Sequence, residues 1–213
     1  MLASDLLTLL NHAMNDDGND TLTETRKLLA LSEAMEVIST LDPGCYSVTE
    51  NIDLVAGVLQ TLPADGTRLL GLHYNTGAAG TTYGRTIKDT SKYRKDAVTV
   101  TWPETTGAVV SEYIYDPDMD PLSFLVIPQL SGPTKVLATY SKVPTAMTDA
   151  EDTFPLRDTY RTATIEFALY RIFTRDDVGT DNYRRGQGHY EKGLQLLGLK
   201  VNTDDRKDQE LAQ

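Results

Sequence analysis

One cysteine, three histidines and one tryptophan in 213 residues is a short supply, and each scarcity removes a class of protein. A lone Cys45 forms no internal disulfide, so the fold is not stapled and suits a reducing compartment. His12, His73 and His189 lie far apart, none with a neighbour at metal-ligand spacing, and no zinc motif results. No apolar run approaches the roughly eighteen residues a membrane span needs. Met1-Leu2-Ala3-Ser4-Asp5 lacks the basic residues that open a secretory signal. Positive charge is scarce too: 20 Lys and Arg stand against 31 Asp and Glu, a net charge of −11. Gripping a duplex takes clustered bases, so tight DNA binding is not expected. An acidic surface can still line a conduit along which DNA slides.

Nor is there a recognisable catalytic constellation. No Gly-x-Ser-x-Gly elbow occurs. The glycine-rich stretch Gly77 to Arg85 lacks the Lys-Ser/Thr step of a phosphate cradle. It reads as a flexible β–β loop, with Gly77, Gly80, Tyr83 and Gly84 as a candidate contact arm to another subunit. Asp116-Pro117-Asp118-Met119-Asp120 opens like a calcium loop, but its sixth position is Pro121 and its twelfth Ile127, so it reads as a turn. No enzyme activity, cofactor or metal is expected.

What is present is a clear change of texture along the chain. Leu6, Leu7, Leu9 and Leu10 predict a short helix over Ser4 to Met14, ended by the Asn/Asp-rich turn from Asn15 to Asp20. Thr21, three residues ahead of Glu24, predicts a capping box. Leu28, Leu31, Met35 and Ile38 then recur at helical steps to about Ser39, and Asp42-Pro43-Gly44 stops them. From Tyr46 to about Tyr140, short β-branched and aromatic runs alternate with turn signals: Val55–Leu59, Leu69–Tyr74, Val98–Trp102, Tyr113–Tyr115, Phe124–Ile127 and Val136–Tyr140. After Pro155, with Thr153 as cap, helical periodicity returns through Ile165, Leu169, Ile172 and Phe173, and a last helix runs from about Asp181 to Leu197.

The expected fold is α+β. A helical bundle of two N-terminal and two C-terminal helices (residues 1–45 and 151–201) carries an inserted antiparallel β-sandwich or open-barrel domain (46–150), and 202–213 form a loose tail. Charge is uneven across this plan. Residues 1–60 hold ten acids and two bases, whereas six of the ten bases after residue 150 are Arg157, Arg161, Arg171, Arg175, Arg184 and Arg185. On one continuous helix Arg157, Arg161, Arg171 and Arg175 share an arc of about 80° with Thr164 and Ala168. These arginines are the candidate subunit interface. Two readings fit the asymmetry: acidic and basic helices packed on each other within the chain, or complementary ends that meet between molecules.

The order of these pieces resembles the adaptor, or head–tail connector, proteins of tailed bacteriophages. The resemblance runs from about Leu6 to Leu199. It rests on the helix ending in Asp42-Pro43-Gly44, the strand–Leu-Pro–strand junction Gln60 to Leu70, and Val100-Thr101-Trp102. Tyr113 to Asp116, Asp120 to Pro128, Tyr140 to Pro144 and Tyr160 to Arg171 complete it. The resemblance implies a non-enzymatic ring subunit of the phage neck, twelvefold like the portal, with three kinds of partner: the portal protein, a tail or nozzle protein, and further copies of itself. It implies DNA only as cargo in the lumen, a virion location after assembly in the host cytoplasm, and no membrane contact. Taken alone, the residues also fit a ligand- or protein-binding module whose β-domain presents Trp102, Tyr113 and Tyr115.

Overall fold

A computed structural model describes residues 1–77, 79–175 and 180–199. In chain order its elements are α1 (Ala3–Met14), α2 (Glu24–Leu41), β1 (Ser47–Leu54), β2 (Gly57–Thr61), β3 (Gly66–Asn75), β4 (Lys88–Asp89) and α3 (Lys92–Val98). After them come β5 (Thr106–Gly107), β6 (Glu112–Ile114), β7 (Ser123–Leu130), β8 (Thr134–Lys142), α4 (Arg161–Arg175) and α5 (Thr180–Leu196). Short 3₁₀ turns lie at Trp102–Glu104 and Asp158–Tyr160. The fold is α+β. Its chain divides into two compact units, Met1–Cys45 with the segment from Pro144 onward, and Tyr46–Val143.

In the helical unit α1, α2 and α4 pack on one another and α5 packs on α4. The apolar positions at three- and four-residue steps converge there: Leu6, Leu10, Leu31, Met35, Ile38 and Phe167 are fully buried. Each such side chain contributes about 1.5–3 kcal/mol by leaving water. The predicted Thr21–Glu24 capping box does not form. Thr23 is the N-cap of α2 instead, and the Asp16 carboxylate accepts from the Thr21 and Leu22 amides at 3.0 and 3.1 Å. α4 begins at Arg161, later than its Pro155 signal: Thr153 bridges to Leu2 in place of capping a helix, Arg157 is extended, and Asp158–Tyr160 form a 3₁₀ turn.

The β unit has two sheets. One is antiparallel, in the order β1-β8-β3; the other runs β2-β7-β6-β4, with β5 also on β7 and with parallel pairs β4–β6 and β5–β7. Alternate residues of β8 (Val136, Ala138 and Tyr140) are fully buried, the period-two signature of a strand with one face inward. They share a core with Ile52, Leu72, Phe124 and Val126, drawn from both sheets.

One predicted strand is shifted, its first two residues falling before β2, and one is absent. Val55–Leu59 straddles the reversal between β1 and β2, where Gly57 takes φ +115°, and β1 itself was hidden by its polar composition. Val98–Trp102 spans the end of α3 and the start of a 3₁₀ turn. Ser91 caps that helix by accepting from the Arg94 amide, and Trp102 Nε1 donates to Asp96 at 2.9 Å.

Candidate functional site

The predicted arginine face is built differently from the helical-wheel expectation. Arg157 precedes the 3₁₀ turn, outside α4, so the four arginines do not share one helical arc. Thr164 and Ala168, at the middle of that arc, are fully buried. At the C-terminal end of α4, however, Arg171 and Arg175 come together on Glu33 of α2, at 3.4 and 3.1 Å. A groove of about 340 Å³ opens beside them, floored by Leu22, Leu29, Ala30 and Ile172 and flanked by Arg26. Complementary charge on two helices is therefore spent partly within the chain, and such exposed pairs contribute little to stability.

Arg157 and Arg161 are exposed at the other end of α4. Arg184 and Arg185 are exposed on α5; the Arg185 guanidinium lies 4.5 Å from the centre of the Phe173 ring, which in turn stacks on His189. Within the helical unit the six arginines thus occupy separate places, with only Arg171 and Arg175 sharing a partner.

Sequence patterns missed two charged clusters in the same unit. Lys27 is fully buried. Its ammonium donates to Asn11 Oδ1 at 2.6 Å, Asn19 Oδ1 at 2.8 Å and the Asp16 carbonyl at 3.1 Å, and pairs with the Asp16 carboxylate at 2.8 Å. The Lys27 bond and the amides of Thr21 and Leu22 hold the Asp16 carboxyl well below the usual range. The Asn/Asp-rich turn is thus wrapped around an ammonium group. A lysine beside Leu28 on an otherwise apolar stripe was its one signal. In the second cluster, buried Glu166 on α4 meets His189 Nδ1 at 2.7 Å and the Lys192 ammonium, joining α4 to α5. His189 and Lys192 sit three residues apart, on one face of α5.

The glycine-rich loop belongs to the β unit. Gly77 and Gly80 take φ +60° and +72°, a backbone region that favours glycine. The Gly80 carbonyl accepts from Asn51 at 2.8 Å, and the Gly84 amide donates to the Asn75 carbonyl at 2.7 Å. Tyr83 is exposed and packs edge-on against Tyr74. The loop's base is fastened by buried Asn75, whose amide donates to the Arg85 and Val110 carbonyls and whose oxygen accepts from the Val110 amide. Asn75 ends β3 and gave no pattern of its own.

Trp102 and Tyr113 are buried, so they do not form the exposed aromatic face that a ligand-binding module would present. Cys45 is buried as well. Among the described residues no group of three His, Cys, Asp or Glu side chains is placed to hold a metal ion, and no helix is long and apolar enough to cross a membrane.

Two sheets inserted into a helical unit, with charged groups employed in packing, make up the α+β frame of the chain. The family model for SU10 adaptor proteins matches residues 1–212, and the chain belongs to that family. Its role is that of a phage structural adaptor, which interacts with other head or tail components. A comparison with curated proteins finds no match.

Proposed function

We propose that the protein is a non-enzymatic subunit of the ring at a phage neck, docking on the portal and receiving a tail or nozzle protein. The observation that carries this reading is the family match along residues 1–212, over a chain whose β unit is inserted between helices. A ring of twelve copies would follow the portal's symmetry, and DNA would pass through its lumen as cargo. The net charge of −11 favours passage over retention, because a surface poor in clustered bases releases few counterions from DNA. The finished ring would reside in the virion after assembly in the host cytoplasm.

The arginine-flanked groove at Arg171 and Arg175, the exposed Arg157, Arg161, Arg184 and Arg185, and the Gly77–Gly84 loop are the surfaces offered to these partners. Arginine suits such contacts because its planar fork pairs with carboxylates in fixed geometry. The test uses heads from a phage with this gene disrupted. Heads lacking the protein should package DNA, leak it and fail to join tails, and added purified protein should restore both properties. Heads that hold DNA and join tails normally without the protein would overturn the reading. Arg161→Glu with Arg171→Glu then asks whether those arginines matter, since normal joining by that variant removes them and leaves the adaptor role intact.

A further inference from the structure

Two patches of the β unit are exposed and complementary. The first surrounds α3. Five bases and two acids fall between Arg85 and Val98, a net charge of +3, which leaves −14 on the remaining residues. No residue of α3 is buried. The helix is anchored by Ser91 at its start, by the Lys95–Glu112 ion pair at 2.8 Å and by the Trp102–Asp96 hydrogen bond. Among the described residues, Lys88, Lys92 and Arg94 make no ion pair within the chain. Beside these cations three apolar side chains face solvent: Tyr93 is 86% exposed, Val98 79% and Val100 82%. A cleft of about 250 Å³ opens among Lys88, Arg94, Lys95 and Val98, with Asp89 and Glu112, the latter already paired with Lys95, also in its lining. A helix anchored by these bonds holds its exposed apolar side chains in a fixed arrangement beside the cations, as a contact surface requires.

The second patch is the turn between β6 and β7. Asp116 Oδ1 accepts from the Asp118 amide at 3.2 Å and Asp120 Oδ1 from the Leu122 amide at 3.0 Å, so two carboxylates shape the turn. Asp118 is left exposed at its tip, Met119 is 84% exposed and Leu122 48%. This patch is acidic and apolar where the first is basic and apolar.

We propose that α3 of one copy and the Asp116–Leu122 turn of a second copy are the two halves of one contact in the ring. Asp118 meets the ammonium and guanidinium groups of Lys88, Lys92 and Arg94, while Met119 and Leu122 cover Tyr93, Val98 and Val100. A contact between two different patches of the same chain is heterologous, and repeating it generates a ring when the rotation closes. Opposite charges set the register and the apolar side chains supply the buried area. A protein partner is favoured over DNA because Val98 and Val100, beside the cations, carry neither a charge for a phosphate nor a ring to stack on a base. This inference rests on the ring-subunit reading above.

The test begins with native mass of the protein mixed with portal rings from the same phage. Tyr93→Cys and Met119→Cys are then placed in one chain; both sites are exposed, and Cys45 is too buried to compete. A short bis-maleimide linker should produce a ladder of covalent multimers from the double variant on portal rings. A mixture of the two single variants should stop at dimers, and each single variant alone should give none. Lys92→Glu with Arg94→Glu should raise the concentration needed for assembly about tenfold or more, and adding Asp118→Arg should recover part of the loss. Ring-sized assembly on the portal without any ladder overturns this contact and leaves the adaptor reading standing. Absence of any assembly on the portal removes the adaptor reading itself, and this contact with it. A charge-reversed variant that assembles normally but loses affinity for duplex DNA overturns the contact in favour of a nucleic-acid surface.

Discussion

Gly193 of α5 sits against the face of Phe167, a fully buried ring on α4. A Cβ added there would lie 2.8, 2.9 and 3.0 Å from three ring carbons, well inside the roughly 3.5–4.0 Å at which carbon atoms rest. Gly188, five residues earlier on the same helix, is exposed and has nothing within 4 Å. The same substitution therefore asks opposite questions at the two sites. Alanine is favoured over glycine in a helix interior by about 1 kcal/mol. Gly188→Ala should collect that gain in full. Gly193→Ala collects it too, but forcing a methyl against a ring that cannot slide costs about 1–3 kcal/mol. The net at Gly193 runs from neutral to about 2 kcal/mol destabilising, and the two variants should differ by about 1–3 kcal/mol. Guanidinium unfolding followed by the helical circular dichroism signal reads this directly, provided the slope m is unchanged. Repeating Gly193→Ala in a Phe167→Leu background should shrink the penalty, because the two sites are coupled. Equal stabilisation by both alanines would refute the close approach of α5 to α4.

Lys27→Ala should destabilise the helical unit more than Asp16→Asn with Lys27→Ala together, since the single change strands a buried carboxylate; unfolding midpoints of the three chains check the order. The depressed Asp16 pKa stabilises the fold above about pH 4 and that contribution is lost as pH falls further, so Asp16→Asn should flatten the acid limb of the stability curve. Burial and the Glu50 carboxylate push the Tyr140 hydroxyl up to about 12, and the Asp42 carboxylate followed by burial does the same for Tyr160. Raised values favour the protonated fold below pH 10 and are lost as pH rises toward 12; ultraviolet titration of Tyr140→Phe and Tyr160→Phe should each remove one late step. Trp102 is the only tryptophan and is 5% exposed, so its fluorescence should be blue-shifted and resist quenching, and Asp96→Ala should weaken that protection by releasing the indole N–H.

Helical periodicity was the most legible signal, because Leu6, Leu10, Leu31, Met35 and Ile38 repeat at one face and all reach the core. Strands were legible where one face is apolar, as in β7 and β8. β1 was not, since Thr49, Asn51 and Asp53 hold its outer side, Glu50 interrupts its inner side beside Tyr140, and its two buried residues, Ile52 and Leu54, come at its end. Val98, Val100 and Trp102 carry high strand propensity, yet Ser91 capping and the Trp102–Asp96 bond place Val98 at the end of a helix and the other two just beyond it; tertiary partners outweigh propensity there. The arginines were visible by count, but their grouping depended on where α4 begins. Thr153 pairs with Leu2, a contact between residues far apart in sequence, and caps no helix; Arg157 is extended and the helix starts at Arg161. Asn75, Lys27 and Glu166 were missed for the same reason, because each is defined by partners on other elements.

The most direct test of the adaptor account is the native mass of the purified protein, alone and with portal rings from the same phage. The account predicts that the protein adds to the portal in a fixed, ring-sized number of copies, whether or not it is monomeric alone. Protein that stays unbound beside portal rings at high concentration would contradict it.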